Sequence, residues 1–598
     1  MFWDSDVAKW IEAACYFLQE EHDEEIDAAV KELVDMIRGA QQPDGYLNIH
    51  YTVVEPGKRF TNLRDQHELY NCGHLIEAAL AHHHHYQTDL LLEPLIKYVN
   101  LLCKVFGNGI GQLRGYPGHP EIELALLRLH KVTRDPAHFA LAKFFIDERG
   151  NPTGFMGKHY YEAESRRRGD LPLSWPVHFP LEDPLKYQQA HLPIVEQETI
   201  EGHSVRALYL LTAVADLCLA DQQESNKYLP AVKRLWDNMV TKKMYITGGV
   251  GAIPRWEGFS IDYFLPQGTD EGGCYSETCA SIAVCMLAER LLQSDLNGQY
   301  ADIMELALYN AVLTGMSEDG KAFTYVNQLA SSPGNLSKRE EWFDCACCPP
   351  NVARVMGYLG GFLSSLKQTG ENAVELNVSH YASAETTLEV GGSTVKLSQT
   401  TNYPRDGKIK FQVEADSDLD VTINVRIPAW AHAWLISPPL SPPIKRSKGF
   451  LTLPPSWVRE NSTFELELPM FPRLVAPHPY SNQPTVAVAR GPLVYCAEDA
   501  DNAWVEDHFK SVCFDTSAKL EVYDRDDVLK HEKIAGIRAV NAVRFLEEED
   551  FNPVVGFQAL TVKDALVEDK VESLELIPYY ARANRGGKGM MRVGFRIG

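Results

Sequence analysis

The chain has 598 residues, 45% of them hydrophobic and 23% charged. At roughly 100–200 residues per domain this is several domains, and the composition excludes a disordered, fibrous or collagen-like chain. With 81 acidic and 57 basic residues the formal charge is −24, which argues against nucleic acid and anionic membranes as partners and leaves a neutral substrate such as a sugar open.

The N-terminus, Met1 to Asp6, carries acids where a signal peptide carries bases. No stretch approaches the ~18 continuous apolar residues of a membrane span. A cytoplasmic location is expected, and the cysteines agree. They are sparse, several sit in apolar helical text, and no disulfide framework is predicted. Six of the twelve fall between Cys274 and Cys348.

From about residue 5 to 365 the apolar period is helical, as in 7–18, 74–81, 121–129, 203–214 and 280–292. Gly73-His74, Gly118-His119 and Gly202-His203 each introduce an apolar segment, and Glu277 stands in a comparable place before 280–292. Such a repeat predicts a toroid of helix hairpins, the (α/α)₆ barrel. Polar residues just before its inner helices then line a central cleft. The plainer account of each Gly-His is a helix cap. The run His82–His85 ends an amphipathic helix, where consecutive side chains fan apart, so it reads as a solvated helix end. From about 370 the period becomes two, with short strands broken by turn residues, predicting two β-sandwiches. The expected division is a barrel at 1–366, one sandwich at 367–480 and a second at 481–598.

Two segments carry candidate chemistry. Residues 274–279 read Cys-Tyr-Ser-Glu-Thr-Cys, and 345–350 read Cys-Ala-Cys-Cys-Pro-Pro. Glu277, Cys279, Cys347 and Cys348 offer four zinc ligands, with Cys345 as a competitor. Pro349 and Pro350 place the paired thiols at a helix N-terminus, which favours thiolate. Glu277 and Cys279 would diverge on a regular helix, so that helix is expected to begin after both. The alternative is a group of buried thiols without metal. Upstream, Glu257 lies between Trp256 and Gly258, with Phe259 nearby. An aromatic pocket would raise its carboxyl pKa, as a general acid requires; the alternative is an exposed loop glutamate.

The strings DSDVAKWIEAA (4–14), QQPDGYLN (41–48), HELYNCGHLIEAAL (67–80), GYPGHPEIELAL (115–126), EGHSVRALYL (201–210), YITGGVGA (245–252), ETCAS (277–281), CACCPPNVARV (345–355), RIPAWA (426–431) and VAVARGPLVYC (486–496) resemble glycoside hydrolase family 127. The likeness spans nearly the whole chain in the family's order. It implies an (α/α)₆ barrel followed by β-sandwich domains. It also implies a retaining β-L-arabinofuranosidase whose nucleophile is a zinc-bound cysteine. By that resemblance Cys347 is the nucleophile, Glu277, Cys279 and Cys348 complete the Zn²⁺ site, and Glu257 is the acid/base. His67, His119, His203 and Tyr325 fall where the family contacts the sugar, with His74 as the alternative to His67. A homodimer through the C-terminal sandwich is expected by family analogy. Family members usually carry a segment before DSDV, whose absence would weaken the sandwich or remove part of the cleft, and the 264–277 loop looks longer than the family's usual form, a difference that would bear on the sugar pocket. Other accounts are an (α/α)₆ lyase or epimerase with a structural zinc, and a non-catalytic carbohydrate-binding protein.

Overall fold

The computed structural model describes residues 2–170, 183–416, 418–440, 446–546 and 571–598. Part of the expected second sandwich, 547–570, therefore lies outside the described residues. Helices in chain order are α1 (Trp3–Glu20), α2 (Glu24–Ala40), α3 (Glu68–Tyr86), α4 (Leu92–Val105), α5 (Ile122–Thr133), α6 (Pro136–Glu148), α7 (Tyr160–Arg168), α8 (Ser204–Ala220), α9 (Gln222–Lys242), α10 (Thr278–Ser294), α11 (Gly298–Leu306) and α12 (Cys348–Tyr358). Packing runs α1 on α3, α3 on α5, α5 on α8, α8 on α10, α10 on α12, and α12 back on α1. That closes an inner ring of six, the expected (α/α)₆ arrangement. Helices α2, α4, α6, α9 and α11 each pack outside the inner helix before them. After α12 the chain passes into a β-strand instead.

The two layers differ as their sequences require. Inner α8 is buried from Ser204 to Cys218, as an apolar helix must be. Outer α2 buries only Val30 and Val34. Their N-caps differ too. Asp23, Asp135, Asp221 and Asn297 cap α2, α6, α9 and α11 by accepting backbone N–H groups, the usual stabilising choice. The inner helices α3, α5, α8, α10 and α12 begin at His67, Glu121, His203, Glu277 and Cys347.

The Gly-His repeat is out of register at its first member. Helix α3 starts at Glu68, so Gly73-His74 lies inside it. A Cβ on Gly73 would stand 2.6 Å from Glu121 Cγ and 2.8 Å from the Ile122 nitrogen. The glycine marks a close crossing of α3 against the start of α5, not a helix start. The His82–His85 run does fan around its helix, but His82 turns into the core at 2% exposure, and burial lowers its pKa to about 4.

Strands β1 (Ser364–Gly370), β2 (Ala373–Val378), β3 (Ala384–Val390), β4 (Ser393–Thr401), β5 (Lys408–Ala415), β6 (Asp420–Arg426), β7 (Leu435–Ser437), β8 (Phe450–Leu453) and β9 (Thr463–Glu467) form two sheets, ordered β1-β2-β6-β8 and β3-β4-β5-β9-β7. Leu376, Ile423 and Leu451 from one sheet share a core with Leu397, Phe411 and Leu466 from the other. This is a sandwich. Arg426 of the RIPAWA string ties it to α11, through Asp302 Oδ1 and Glu305 Oε1, both at 2.5 Å.

Strands β10 (Pro472–Val475), β11 (Thr485–Arg490), β12 (Leu493–Glu498), β13 (Val512–Phe514), β14 (Leu520–Arg525), β15 (Ile534–Phe545), β16 (Glu572–Pro578), β17 (Met591–Arg592) and β18 (Phe595–Ile597) form one nine-stranded sheet. Its path β11-β18-β13-β15-β16-β12 is closed by β11–β12 pairing. Among the described residues the strands thus make a ring-closed sheet. Its outer face shares a core with the barrel loops, where Tyr245, Ala252, Cys274 and Leu329 pack with Val494, Ile577 and Met591.

Candidate active site

The starts of all six inner helices line one cavity of about 270 Å³. Ser5 comes from α1, His67 and Tyr70 from α3, His119 from the approach to α5, and His203 and Arg206 from α8. Glu277 and Cys279 come from α10, and Cys347 from α12; Glu257, Tyr325 and Cys345 join from loops. Larger cavities occur elsewhere, but this one gathers the sequence candidates. Cys348 lies just behind it, fully buried. His67 lines the cavity. His74 does not; it is fully buried, with Nδ1 3.1 Å from Glu121 Oε1.

Glu277, Cys279, Cys347 and Cys348 bring one donor atom each within 4.8 Å of one another. Cys279 Sγ is 3.4 Å from Cys348 Sγ and 3.8 Å from Cys347 Sγ, and the last two are 3.8 Å apart. A tetrahedron with metal–sulfur bonds of about 2.3 Å has sulfur–sulfur edges of about 3.8 Å, so the thiols already stand near that spacing. Cys347 Sγ is 3.7 Å from Glu277 Oε1. Glu277 Oε2 is buried without a partner. Burial and the Cys347 charge push the Glu277 carboxyl well up. Hydrogen bonds from Cys347 and Cys348 pull the Cys279 thiol down to about 6, while burial pushes Cys348 up. Three thiol sulfurs and one carboxylate oxygen gathered in this way could hold a divalent cation such as zinc. Cys345 lines the cavity but is outside this group.

Helix α10 begins between Glu277 and Cys279, not after both as expected. Glu277 is its extended N-cap, with φ −61° and ψ 139°. That single non-helical residue turns the carboxylate back toward the Cys279 thiol at the second helical position. Tyr325 is held by the same segment. The Thr278 N–H donates to the Tyr325 carbonyl at 3.1 Å, and Tyr325 Oη lies 3.6 Å from Cys347 Sγ. From outside, Arg582 reaches Asn327, whose amide donates to the Ser276 carbonyl and Thr278 Oγ1. The C-terminal domain thereby braces the Glu277 turn.

Glu257 follows a short turn and takes φ +55°, an uncommon conformation for a non-glycine residue. Its carbonyl accepts from the Ser204 N–H at 3.1 Å and from Ser204 Oγ at 2.9 Å, fastening it to the start of α8. Gly258 lies against Gly202, where a Cβ would stand 2.0 Å from the Gly202 carbonyl oxygen. Both carboxylate oxygens are engaged: His203 Nε2 is 2.9 Å from Oε2, and Tyr275 Oη donates to Oε1 at 2.8 Å.

The expectation of a raised Glu257 pKa is overturned. Burial does push it up, but His203, Tyr275 and the Arg206 charge outweigh this and bring it to about 2. Burial lowers the His203 pKa, and the Val205 N–H donates to His203 Nδ1 at 3.2 Å. His203 is therefore a neutral imidazole carrying its proton on Nε2, aimed at Glu257. It both caps α8 and serves the cavity, so the two accounts of a Gly-His pair hold together here. His119 takes the opposite tautomer. Its Nδ1 donates to the Pro120 carbonyl at 2.9 Å, leaving Nε2 an acceptor. Burial and Arg206 keep it neutral, and they lower His67 to about 3.

Of the described 264–277 loop residues, only Glu277 lines the cavity itself. Gln267 Oε1 accepts from the Gly594 N–H and Glu271 pairs with Arg592, so the loop packs on the C-terminal domain. It meets the site through Tyr275, which the sequence reading missed, as it missed Arg206, Tyr70, Tyr187 and Tyr209. Arg206 could have been found, because it lies three residues after His203 and so shares its helix face.

Residues 1–361 match the family model described as the β-L-arabinofuranosidase GH127 catalytic domain, 375–470 its GH127 middle domain, and 472–595 the glycoside hydrolase family 127 C-terminal domain. A curated relative, the non-reducing end β-L-arabinofuranosidase of Bifidobacterium longum subsp. longum, is 35% identical over 99% of this chain and 89% of its own. The crystal structure of a GH127 β-L-arabinofuranosidase from Geobacillus stearothermophilus T6 superposes with a TM-score of 0.85 at 36% identity, covering 100% of this chain and 91% of that one. A second GH127 β-arabinofuranosidase structure gives 0.82 at 32% identity, covering 100% and 88%.

Proposed function

Because the chain belongs to glycoside hydrolase family 127, we propose that it is a retaining exo-glycosidase releasing β-linked L-arabinofuranose or a closely related sugar, with Cys347 as nucleophile and Glu257 as acid/base. What carries this reading is the cavity itself, in which Cys347 Sγ stands among Glu277, Cys279 and Cys348 and shares the space with Glu257. Those four donors fit Zn²⁺, which when bound would keep the thiols deprotonated and fix their orientation.

Cys347 Sγ attacks the anomeric carbon while Glu257 gives a proton to the leaving oxygen, and a thioglycosyl intermediate forms on Cys347. Glu257, now a carboxylate, takes a proton from water, which displaces the thiolate from the same face that the leaving group occupied. Two displacements retain the anomeric configuration. The low pKa of Glu257 in the open site suits the second half of this cycle. For the first half, a glycoside seated over the carboxyl excludes water, which favours the protonated form. His203 Nε2–H and Tyr275 Oη hold the carboxylate in place. The other neutral rings, His67 and His119, are placed with Tyr325 to hydrogen-bond sugar hydroxyls without a charge penalty.

We extend the reading to the rest of the chain. The catalytic barrel is assigned to 1–366, with sheet domains at 367–480 and 481–598. All twelve cysteines are free thiols, which suits a reducing, cytoplasmic setting. Among the described residues no helix is long and apolar enough to cross a membrane. The substrate is a glycoside, the acidic charge disfavours nucleic acid, and a homodimer rests on family analogy alone. Metal analysis combined with an aryl β-L-arabinofuranoside assay, with and without chelator, tests the whole reading. Stoichiometric zinc with chelator-sensitive, configuration-retaining hydrolysis is expected, and a metal-free active enzyme would overturn it.

A further inference from the structure

Arg206 is the one side chain with a permanent positive charge among the described residues lining the catalytic cavity. It is 6% exposed, and among the described residues no carboxylate lies within ion-pair distance of it. Its guanidinium rests over the Tyr187 ring at 4.7 Å, and Nη1 donates to the Gly118 carbonyl at 3.2 Å. No other hydrogen bond of the group occurs among the described residues, and Nε is buried without a partner. A guanidinium carries five N–H donors, and leaving a buried charge so poorly matched is costly unless a ligand completes it. It stands one helical turn inside α8 from His203, and its charge also acts on His67 and His119.

From this geometry we propose that Arg206 is a further substrate-binding residue. Its cavity-facing N–H groups donate to one hydroxyl of the furanose held among His67, His119 and His203, and they select for oxygen at that position. This rests on the glycosidase reading above. A planar guanidinium fixed by Tyr187 and Gly118 loses little freedom when it takes up that bond. A neutral sugar leaves the charge intact, so binding requires no proton exchange.

The test uses the metal-loaded enzyme and its Arg206→Met and Arg206→Lys variants. Turnover is measured on an aryl β-L-arabinofuranoside and on its 2-deoxy, 3-deoxy and 5-deoxy analogues. A hydrogen bond from a charged donor corresponds to roughly a 10- to 100-fold effect. Arg206→Met should lose that much in kcat/KM on the parent glycoside, mostly through KM, and should lose almost nothing on one of the three deoxy analogues. Arg206→Lys should recover part of the loss. An equal loss on every analogue, no loss at all, or failure of both variants to fold would overturn the proposal. Calorimetric binding of free L-arabinose separates the two readings. If wild type binds the sugar without hydrolysing the glycoside, the glycosidase reading fails, and weaker binding by Arg206→Met still supports the role of Arg206, while equal binding overturns it.

Discussion

Gly258→Ala probes the placement of Glu257 without touching its carboxyl. The added Cβ would stand 2.0 Å from the Gly202 carbonyl oxygen and 2.6 Å from its carbon, where real Cβ atoms stay beyond 3.0 Å. Both groups are backbone, so no side chain can swing away, and the two segments must part by at least 1 Å. Gly202 precedes His203 and Gly258 follows Glu257, so that parting falls on the 2.9 Å contact between them. It also pulls the Glu257 carbonyl from Ser204 at the start of α8. Overpacking of this kind costs about 1–3 kcal/mol of stability. A misplacement near 1 Å at a reacting group costs about 100-fold in rate. The expected variant is folded, binds zinc at the wild-type ratio, and has kcat/KM for an aryl β-L-arabinofuranoside reduced about 100-fold. Measuring melting temperature, metal content and kinetics together decides it. Activity within threefold of wild type would show that the Gly202–Gly258 approach does not position the acid/base.

Cys347→Ser should lower turnover by about 10⁴-fold or more while the barrel stays folded, as checked by circular dichroism and single-turnover assay; a lyase or epimerase using His and Tyr would keep its activity. Glu257→Gln should cost about 10²–10⁴-fold in kcat/KM on glycosides with poor leaving groups but under 10-fold on activated aryl glycosides, since only the former need the acid. His67→Ala should raise KM with little change in melting temperature, while His74→Ala, at a fully buried position, should lower the melting temperature. Glu121 is pushed up to about 8 by burial, against the lowering effect of Arg354. The folded state therefore prefers the protonated acid, and this group makes stability fall as pH rises from roughly 4.5 to about 8. Glu121→Gln, which mimics that protonated form, should flatten the decline in denaturant midpoint between pH 5 and pH 8.

The helical ring was legible because the amphipathic period is a local property of the sequence. The metal donors were legible because Glu277, Cys279, Cys347 and Cys348 fall into two short strings. Register was less so. Gly73-His74 shares the pattern of Gly118-His119 and Gly202-His203, yet its glycine answers to a helix crossing with Glu121. Only tertiary contact separates the two causes. The environment of Glu257 was misjudged for a similar reason. Its sequence neighbours are aromatic, but its spatial neighbours are His203, Tyr275 and Arg206, which come from other segments and are polar. Ring closure of the C-terminal sheet depends on pairing of β13 with β18 across more than eighty residues, which no local period encodes.

The contrast in helix caps connects fold to chemistry. Four of the five outer helices spend their N-caps on Asp or Asn, each worth about 1 kcal/mol, α4 with Leu91 being the exception. Among the inner helices, only His203 caps by its side chain; His67, Glu121, Glu277 and Cys347 do not. The positive ends of the inner-helix dipoles therefore converge on the cavity, where anions are favoured. The cavity holds an ionised Glu257, and with a metal bound it holds three thiolates and a carboxylate against two positive charges. Neutral histidines add no compensating charge; the buried Lys9 ammonium, whose charge acts on Cys347 and Cys279, and Arg206 supply positive charge beside the helix starts. At α12, whose Pro349 and Pro350 carry no N–H to donate, it is the helix dipole that favours a thiolate at Cys347.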